Sequence, residues 1–246
     1  MRKKMCCCLL MLVMLTGILT GCGSGKESQF RSYIQSLITA NYLGTSDEYI
    51  KTTGANQSDA EALYLQNTSR LADNLITYYG LDIANDPEAV ERVTEVSKKI
   101  YNMIRYEVAP ARMDNGIYYV DVTLHPINIL NDTHEAVVAY IGEFNKRVSA
   151  GEFNKYTKEE YQRELTNGIM DILEEGTKNM TYQDPKIVTV RIIEGKSTFY
   201  ISDDDLRSID ALVIATLSDD AGSTTDPGNP TDPDTTEEGT TEKSWG

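Results

Sequence analysis

The chain has 246 residues, and its 38 acidic side chains outnumber the 23 basic ones, which gives a formal net charge of −15 at neutral pH. Nucleic-acid phosphates and anionic lipid headgroups repel such a chain, so the charge excludes nucleic acid as a partner and excludes electrostatic attachment to a membrane. The length is sufficient for one or two domains, each with its own apolar core.

Residues 1–22 have the organisation of an export signal. Three basic residues, 2–4, precede an apolar run at 6–18, which is shorter than the about 20 residues that a membrane-spanning helix needs. Small residues then lead to Cys22. The ending Leu19-Thr20-Gly21-Cys22 resembles the lipobox of bacterial lipoproteins. An ordinary secretory signal and an uncleaved membrane anchor are the alternatives.

The lipobox resemblance implies that residues 1–21 form a signal peptide that is cleaved off. It also implies that a diacylglycerol is attached to the Cys22 sulfur and holds the protein on the outer side of the cell membrane. The other three cysteines, 6–8, leave with the signal. No thiol then remains for a disulfide, a zinc site or a nucleophile, and we expect no cofactor.

Helical periodicity dominates the first part of the remaining chain. Residues 22–28 are expected to form a flexible tether to an α+β domain over 29–217. Apolar residues from Phe30 to Ile38 predict a first helix, and a short helical turn is expected around 47–51. Ser58 or Asp59 is the expected N-cap of a second long helix, and Asp86-Pro87 marks the start of a third.

The pattern then changes to the alternation that is typical of β-strands. Strands over 107–113 and 117–125 flank Asp114-Asn115-Gly116, which favours a tight hairpin turn. In the second strand, residues 118, 120, 122 and 124 should be buried and residues 119, 121, 123 and 125 partly exposed. Pro110 predicts that its strand lies at a sheet edge or carries a bulge.

The second half repeats the same kinds of element. Capping boxes at Asp132/Glu135 and Thr157/Glu160 begin two helices, a hairpin over 186–201 follows, and Ser202 caps a last helix. The order ααα-ββ-αα-ββ-α predicts an α+β fold, with a curved, cone-like antiparallel sheet of hairpins packed against long amphipathic helices. The repeated helix-helix-hairpin order is compatible with a duplicated unit.

Residues 218–246 differ in composition from the domain. They contain Thr, Asp, Pro, Gly and Glu, with eight acids, one lysine and almost nothing apolar except Trp245. Such a composition cannot bury a core, so we expect a disordered acidic tail. It could serve as a spacer, as a glycosylated stalk, as a segment that presents Trp245, or have no partner.

The arrangement of elements resembles uncharacterised lipoproteins of Gram-positive bacteria with a nuclear-transport-factor-2-like (cystatin-like) domain. The resemblance depends on Tyr106-Glu107-Val108, on the segment 116–127 and on the segment 187–196 before the final strand and helix. It implies an α+β cone and an extracytoplasmic location. It brings no catalytic residues. Ser197 to Tyr200 stand where such domains often place a Trp.

The sequence contains none of the common hydrolase, phosphate-binding or zinc-protease motifs. His125, at a strand end beside Asp121 and Tyr119, is a candidate general base, and His134 is expected in the N-cap turn of a helix. The acids 203–205 fit a helix N-terminus better than a Ca²⁺ site. No metal site is expected.

Tyrosines are unusually frequent, 15 against four phenylalanines. An apolar body with a polar tip suits the lining of a ligand pocket, although the same residues can simply fill a core. Candidate pocket residues near the expected helix–sheet interface are Tyr78, Tyr101, Tyr118, Tyr140, Phe144 and His125.

These observations favour a membrane-anchored, non-enzymatic module that binds a small molecule or an envelope protein. The alternatives are a cone-fold enzyme that uses His125 or a pocket Asp or Tyr for acid–base chemistry, and an accessory or structural envelope lipoprotein.

Overall fold

The computed structural model describes residues 25–194 and 199–216. Their helices and strands are α1 (Gly25–Leu43), α2 (Asp47–Thr53), α3 (Gln57–Tyr78), α4 (Pro87–Tyr101), β1 (Arg105–Val108), β2 (Arg112–Asp114), β3 (Ile117–His125), α5 (Ile129–Ser149), α6 (Lys158–Gly176), β4 (Lys186–Glu194), β5 (Phe199–Ile201) and α7 (Asp203–Val213). The expected signal peptide, Cys22, the turn at 195–196 and the expected tail over 218–246 lie outside the described residues. In the described part, no helix is long and apolar enough to cross a membrane.

The strands form one antiparallel sheet that curls into a half-barrel, with the order β1-β3-β4-β5. β1 and β2 pair with the same edge of β3. β1 pairs with residues 122–125 of β3, and β2 pairs with residues 117–119. The prediction of a single strand over 107–113 is therefore wrong, because this segment contains parts of two strands. It is split at Pro110, which has no N–H to donate, and Ala111 N–H turns away to the carbonyl oxygen of Glu27 (3.3 Å). The expectation of an edge position for Pro110 is confirmed.

The turn between β2 and β3 has the backbone that its sequence predicts. Asn115 and Gly116 both have positive φ, 49° and 82°. Two successive residues of this kind give the turn whose twist matches the twist of paired strands. The expected hairpin is confirmed.

One face of the sheet is buried and the other is open. Val120, Val122 and Val190 are fully buried, whereas Tyr119, Asp121 and their neighbours of the same parity are partly exposed. α1 packs against β1 and β3, and α7 packs against β3 and β4. The remaining helices extend this layer, since α1 packs on α3, α3 on α4, α4 on α6 and α6 on α5. The predicted α+β class, with helices on one face of an antiparallel sheet, is confirmed.

Three predicted helix starts are confirmed by their hydrogen bonds. Asp86 accepts from Ala89 N–H ahead of Pro87, and Ser202 accepts from Asp205 N–H. Thr157 and Glu160 form a reciprocal capping box at α6. Each of these caps depends on residues within one turn, so each can be recognised locally.

Three other expectations are wrong. α1 begins at Gly25, so residues 25–28 are helical and do not belong to a tether. Asn56, and neither Ser58 nor Asp59, caps α3 by accepting from Asp59 N–H (2.8 Å). α5 begins at Ile129, ahead of the expected capping box at 132, because the Asp132 carboxylate accepts instead from Thr181 Oγ1 (2.9 Å). His134 consequently lies within α5 and not in an N-cap turn.

Candidate functional site

The solvent-facing side of the sheet brings together polar side chains from four strands, and we call it the open face. The strand registers place the odd-numbered residues of β1 and β3 on the same side as Arg112 and the odd-numbered residues of β4. The open face consists of Arg105, Glu107, Arg112, Asp114, Ile117, Tyr119, Asp121, Thr123, His125, Ile187, Thr189 and Arg191.

Asp121 orders the middle of the open face. Thr189 Oγ1 donates to its carboxylate from β4 (2.7 Å), and the Arg112 guanidinium approaches it from β2 (3.4 Å). The same guanidinium lies 5.1 Å from the ring centroid of Tyr119, within the range of a cation–π contact. A carboxylate, a guanidinium and an aromatic ring thus lie close together, and none of the described helices packs on this face.

Arg105 is held at the other end of the open face. Its guanidinium lies 3.9 Å from the ring centroid of Tyr182, whose hydroxyl donates to the carbonyl oxygen of Met103 (2.7 Å). The stacked arginine keeps its donors available on the outer side, since one face of the planar group is occupied by the ring.

The charge and apolar exposure of the open face differ from those of the whole chain. It carries three arginines and three acids, whereas the complete chain has a net charge of −15. Ile187 lies on β4 opposite Thr123, towards one end of this face. Its surface is 66% exposed, the highest exposure among the large apolar residues of the described chain. Ile117 is also exposed on this face. A balanced surface with exposed aliphatic side chains is typical of a protein-binding patch.

A groove of about 500 Å³ runs along the outer edge of β1, and we call it the edge groove. It is lined by Arg31, Gln35, Tyr106, Glu107, Val108, Ala109 and Thr123. α1 forms one wall, because the Tyr106 hydroxyl lies 2.6 Å from Thr39 Oγ1 and fixes the distance between helix and strand. The edge groove continues the open face, since Glu107 and Thr123 belong to both.

A second groove, about 440 Å³, separates α4 from α6 and is crossed by ion pairs. Arg163 makes two hydrogen bonds to the buried Asp86 carboxylate (2.7 and 3.0 Å), and Arg92 binds Glu174 (2.6 Å). The hydrogen bonds from Arg163 hold the pKa of Asp86 below its usual range. Hydrogen bonds from Lys99, and to a smaller extent from Arg92, likewise lower the pKa of Glu174. These charges satisfy one another, so the groove is primarily a contact between helices.

The six candidate pocket residues are not brought together. Tyr101 packs on Tyr42, Tyr118 on Phe30, and Tyr78 on Tyr79, with ring centroids 5.1, 4.8 and 4.7 Å apart. Tyr140 and Phe144 pack with each other on α5, and His125 lies on the open face. None of the six lines the edge groove or the groove between α4 and α6.

The hydroxyl groups of the candidate tyrosines contribute to packing. Tyr140 donates to the carbonyl oxygen of Glu164 (3.1 Å), and burial raises the pKa of Tyr140 to about 12. Burial also raises the pKa of Tyr78 and Tyr101. Phenols with raised pKa values remain protonated at neutral pH, so at these positions they are hydrogen-bond donors and not bases.

The two histidines lie on different elements, His125 at the end of β3 and His134 within α5. His125 is half-buried on the open face, paired in register with Arg105, and in residues 25–194 and 199–216 no hydrogen bond reaches its imidazole. The acids 203–205 form the first turn of α7, where Asp205 also accepts from Arg191 N–H (3.1 Å). Within the described residues, no group of three or more His, Cys, Asp or Glu side chains could hold a metal ion.

Comparison with known proteins gives one structural likeness. No protein-family model and no curated protein matches the sequence. The fold is similar to the crystal structure of a "putative lipoprotein (ycdA)" from Bacillus subtilis, with a TM-score of 0.56 and 13% sequence identity. The match covers 76% of this chain and 56% of the Bacillus protein, so this chain spans little more than half the length of its neighbour. At this identity the likeness concerns the fold.

Proposed function

We propose that the protein is a lipoprotein on the outer face of the cell membrane, anchored by a diacylglycerol on Cys22, whose folded domain binds an envelope protein. The ending Leu19-Thr20-Gly21-Cys22 supports the anchor. The similar fold of a Bacillus subtilis protein that is described as a lipoprotein supports it independently. Two or more acyl chains are sufficient for stable attachment, which an acidic chain could not obtain electrostatically.

The open face carries the binding part of this proposal. Asp121 holds Thr189 and Arg112, the charge of the face is balanced, and Ile187 is exposed on it. A partner that covers this face would bury apolar surface and meet both signs of charge. A small-molecule site among the tyrosines has less support, because Tyr101, Tyr118 and Tyr140 already pack against other side chains.

The anchor is tested by expressing the full chain and its Cys22→Ser variant in a Gram-positive host. We expect the parent protein in the membrane fraction, with a mass that shows loss of residues 1–21 and addition of acyl chains to Cys22. The variant should be absent from that fraction as a lipidated species. Equal membrane attachment of both proteins would contradict lipid anchoring.

The choice between a protein and a small molecule is tested by thermal unfolding in the presence of metabolites, sugars, short peptides and metal ions. A ligand that binds only the folded state at 100 times its Kd stabilises it by about 2.7 kcal/mol, which is several degrees for a domain of this size. We expect no selective shift. A shift that Tyr118→Ala or Tyr140→Ala removes without unfolding the domain would establish a small-molecule receptor instead.

A further inference from the structure

The outer edge of β1 presents main-chain groups that the sheet does not use. The register pairs Val108 with Val122, and Ala109 N–H donates to the carbonyl oxygen of Asp121 (2.9 Å). In an antiparallel ladder the residues alternate between bonded and non-bonded pairs, so the N–H and C=O groups of Tyr106 and Val108 point away from β3. Among the described residues no strand pairs with this edge. An exposed edge of this kind is a template for another strand.

Two charges of opposite sign lie beside this edge. Arg105 and Glu107 are both exposed and lie on the open face, two residues apart on β1. Neither forms an ion pair with another described residue. Such an arrangement is self-complementary. When two copies of β1 run antiparallel about a twofold axis at residue 106, the arginine of each copy lies opposite the glutamate of the other.

We propose that two copies of this chain pair through the outer edges of β1, antiparallel and about a twofold axis at Tyr106. The N–H and C=O groups of Tyr106 bond those of Tyr106 in the second copy, and Val108 N–H donates to the carbonyl oxygen of Ile104. Arg105 of each copy forms an ion pair with Glu107 of the other. These two side chains occupy a non-bonded position of the new ladder, where opposed residues are closest.

The neighbouring registers lack this complementarity. An axis at Arg105 or at Glu107 places two like charges directly opposite each other, which destabilises a sheet. An axis at Val108 places Pro110, which has no N–H, at a bonded position opposite Tyr106. The axis at Tyr106 therefore combines main-chain hydrogen bonds with opposite charges, and its neighbours do not.

The helix below the edge leaves room for the second copy. α1 packs against both β1 and β3, so its axis lies roughly midway between two strands that are about 4.8 Å apart. The α1 helices of the two copies are then about 10 Å apart, a normal distance for packed helices. The second strand enters the edge groove, whose volume is about 500 Å³.

Arg31 of α1 lines the edge groove, and its position avoids repulsion between the copies. Ala111 N–H donates to the carbonyl oxygen of Glu27 (3.3 Å), and the Tyr106 hydroxyl lies 2.6 Å from Thr39 Oγ1. α1 therefore runs antiparallel to β1, with Arg31 between these two contacts and away from the axis at Tyr106. The two Arg31 guanidinium groups are consequently not opposite each other.

This pairing joins the sheets of two copies and places their open faces side by side. The inference does not depend on the envelope partner that we propose for the open face, because the ladder forms between the main chains of two β1 strands. The two proposals also have separate readouts, since association of purified chains requires no other protein.

Charge reversal gives two variants that should associate only with each other. In Arg105→Glu positions 105 and 107 are both acidic, and in Glu107→Arg both are basic, so each variant places like charges opposite each other when it pairs with itself. Because the twofold axis repeats every contact, self-association should weaken by roughly tenfold to thirtyfold. A mixture of the two variants restores opposite charges at both contacts, so it should associate as the parent does.

Energy transfer measures this association. Donor and acceptor fluorescent proteins would be fused after Gly246 of the full chain, and the chains mixed in detergent with micelles in large excess, at up to about 100 μM because a small interface gives weak association. We expect transfer in the parent, its loss in each single variant and its recovery in the mixture, which also shows that both variants are folded. Lys155→Glu, an equal charge change between α5 and α6, is the matched control and should keep the transfer of the parent. No transfer in the parent, or no recovery in the mixture, would overturn the proposal.

Disulfide formation tests the register. Arg105→Cys mixed with Glu107→Cys under oxidising conditions should cross-link two copies, because opposed Cα atoms at a non-bonded position are about 4.5 Å apart. Each variant alone should cross-link poorly, because its two introduced thiols are diagonal neighbours about 7–8 Å apart. The parent controls for the other cysteines of the chain. Efficient cross-linking of Glu107→Cys with itself would place the axis at residue 107 and overturn the proposed pairing.

Hydrogen exchange tests the main chain. The amides of Tyr106 and Val108 should exchange about tenfold more slowly when about nine tenths of the molecules are paired, and this protection should rise with protein concentration. The amide of Glu107, which faces β3 in the ladder, should not change. Protection of Tyr106 and Val108 that does not depend on concentration would show that the edge is covered within one molecule, and pairing between copies would be refuted.

Discussion

Gly168 lies where α5 and α6 come into contact, and its replacement by alanine is a sharp test of how Tyr140 is packed. A Cβ atom at position 168 would lie 2.1 Å from Cζ and 2.2 Å from the hydroxyl oxygen of Tyr140. Real Cβ atoms do not approach other atoms so closely, so the tyrosine ring must move. Gly168→Ala therefore perturbs Tyr140 without removing any of its atoms.

The magnitude follows from what the ring loses. Movement breaks the hydrogen bond from Tyr140 to the Glu164 carbonyl oxygen, which is worth about 1 kcal/mol. It also disturbs the contact between the rings of Tyr140 and Phe144, whose centroids are 5.9 Å apart, at a cost of about 1 kcal/mol. Replacing a helical glycine by alanine stabilises the helix by about 1 kcal/mol, which offsets part of this loss. We expect Gly168→Ala to destabilise the protein by about 1 kcal/mol, or roughly 2–4 °C in Tm.

The assay is urea unfolding of four proteins: the parent, Gly168→Ala, Tyr140→Leu and the double variant. Leucine removes the ring that clashes, so in the Tyr140→Leu background Gly168→Ala should stabilise by about 1 kcal/mol. The coupling between the two sites is then about 2 kcal/mol. Equal destabilisation by Gly168→Ala in both backgrounds would refute the packing of Tyr140 against α6, and so would stabilisation in the parent.

The remaining predictions concern two buried phenols and one ion pair. Tyr42→Phe should destabilise the protein by about 2 kcal/mol, because the buried Tyr42 hydroxyl donates to the Asp210 carboxylate. Tyr33→Phe should be neutral or stabilising, because the Tyr33 hydroxyl has no hydrogen-bond partner among the described residues. Denaturant unfolding compares the two, and equal losses would contradict the assigned contacts. Arg163 lowers the pKa of Asp86 in the folded protein. The ion pair therefore stabilises the fold fully at pH values above the pKa of Asp86 in the unfolded chain, about 4. This stabilisation is lost as the pH falls through the lower pKa of Asp86 in the folded protein. Arg163→Gln should therefore weaken the dependence of unfolding free energy on pH between neutral and acidic buffers, and an unchanged pH profile would count against the linkage.

Local signals in the sequence were sufficient for much of the fold. Asp86-Pro87 and Ser202 each bond an amide three residues away, so their helix starts could be predicted without knowledge of the rest. Asp132 shows the limit of this reasoning. Its carboxylate could cap a helix, yet it bonds Thr181, 49 residues away, and α5 begins earlier. A hydrogen-bond partner so far away in the sequence competes with the local cap, and no pattern around Asp132 indicates it.

The candidate site was predictable only in part. The alternation in β3 predicts that Tyr119 and Asp121 share an exposed face. The pairing of Asp121 with Thr189 and Arg112 depends on the registers of β3 with β4 and β2, and the first of these joins residues 68 positions apart. Arg31 was not predicted at all, because its place in the edge groove depends on how α1 crosses the sheet. The prediction of a common tyrosine pocket remains without support from the arrangement of those side chains.

Site-specific photo-crosslinking on cells tests the central claim most directly. A photoreactive residue would replace Ile187, which is 66% exposed on the open face, in the lipidated full chain, and Leu65, 55% exposed on α3, would be replaced as the matched apolar control. The account predicts a discrete protein adduct from position 187, none from position 65, and loss of the adduct when Arg191→Glu is added further along the same face of β4. No adduct from position 187, or equal adducts from both positions, would contradict a partner on the open face.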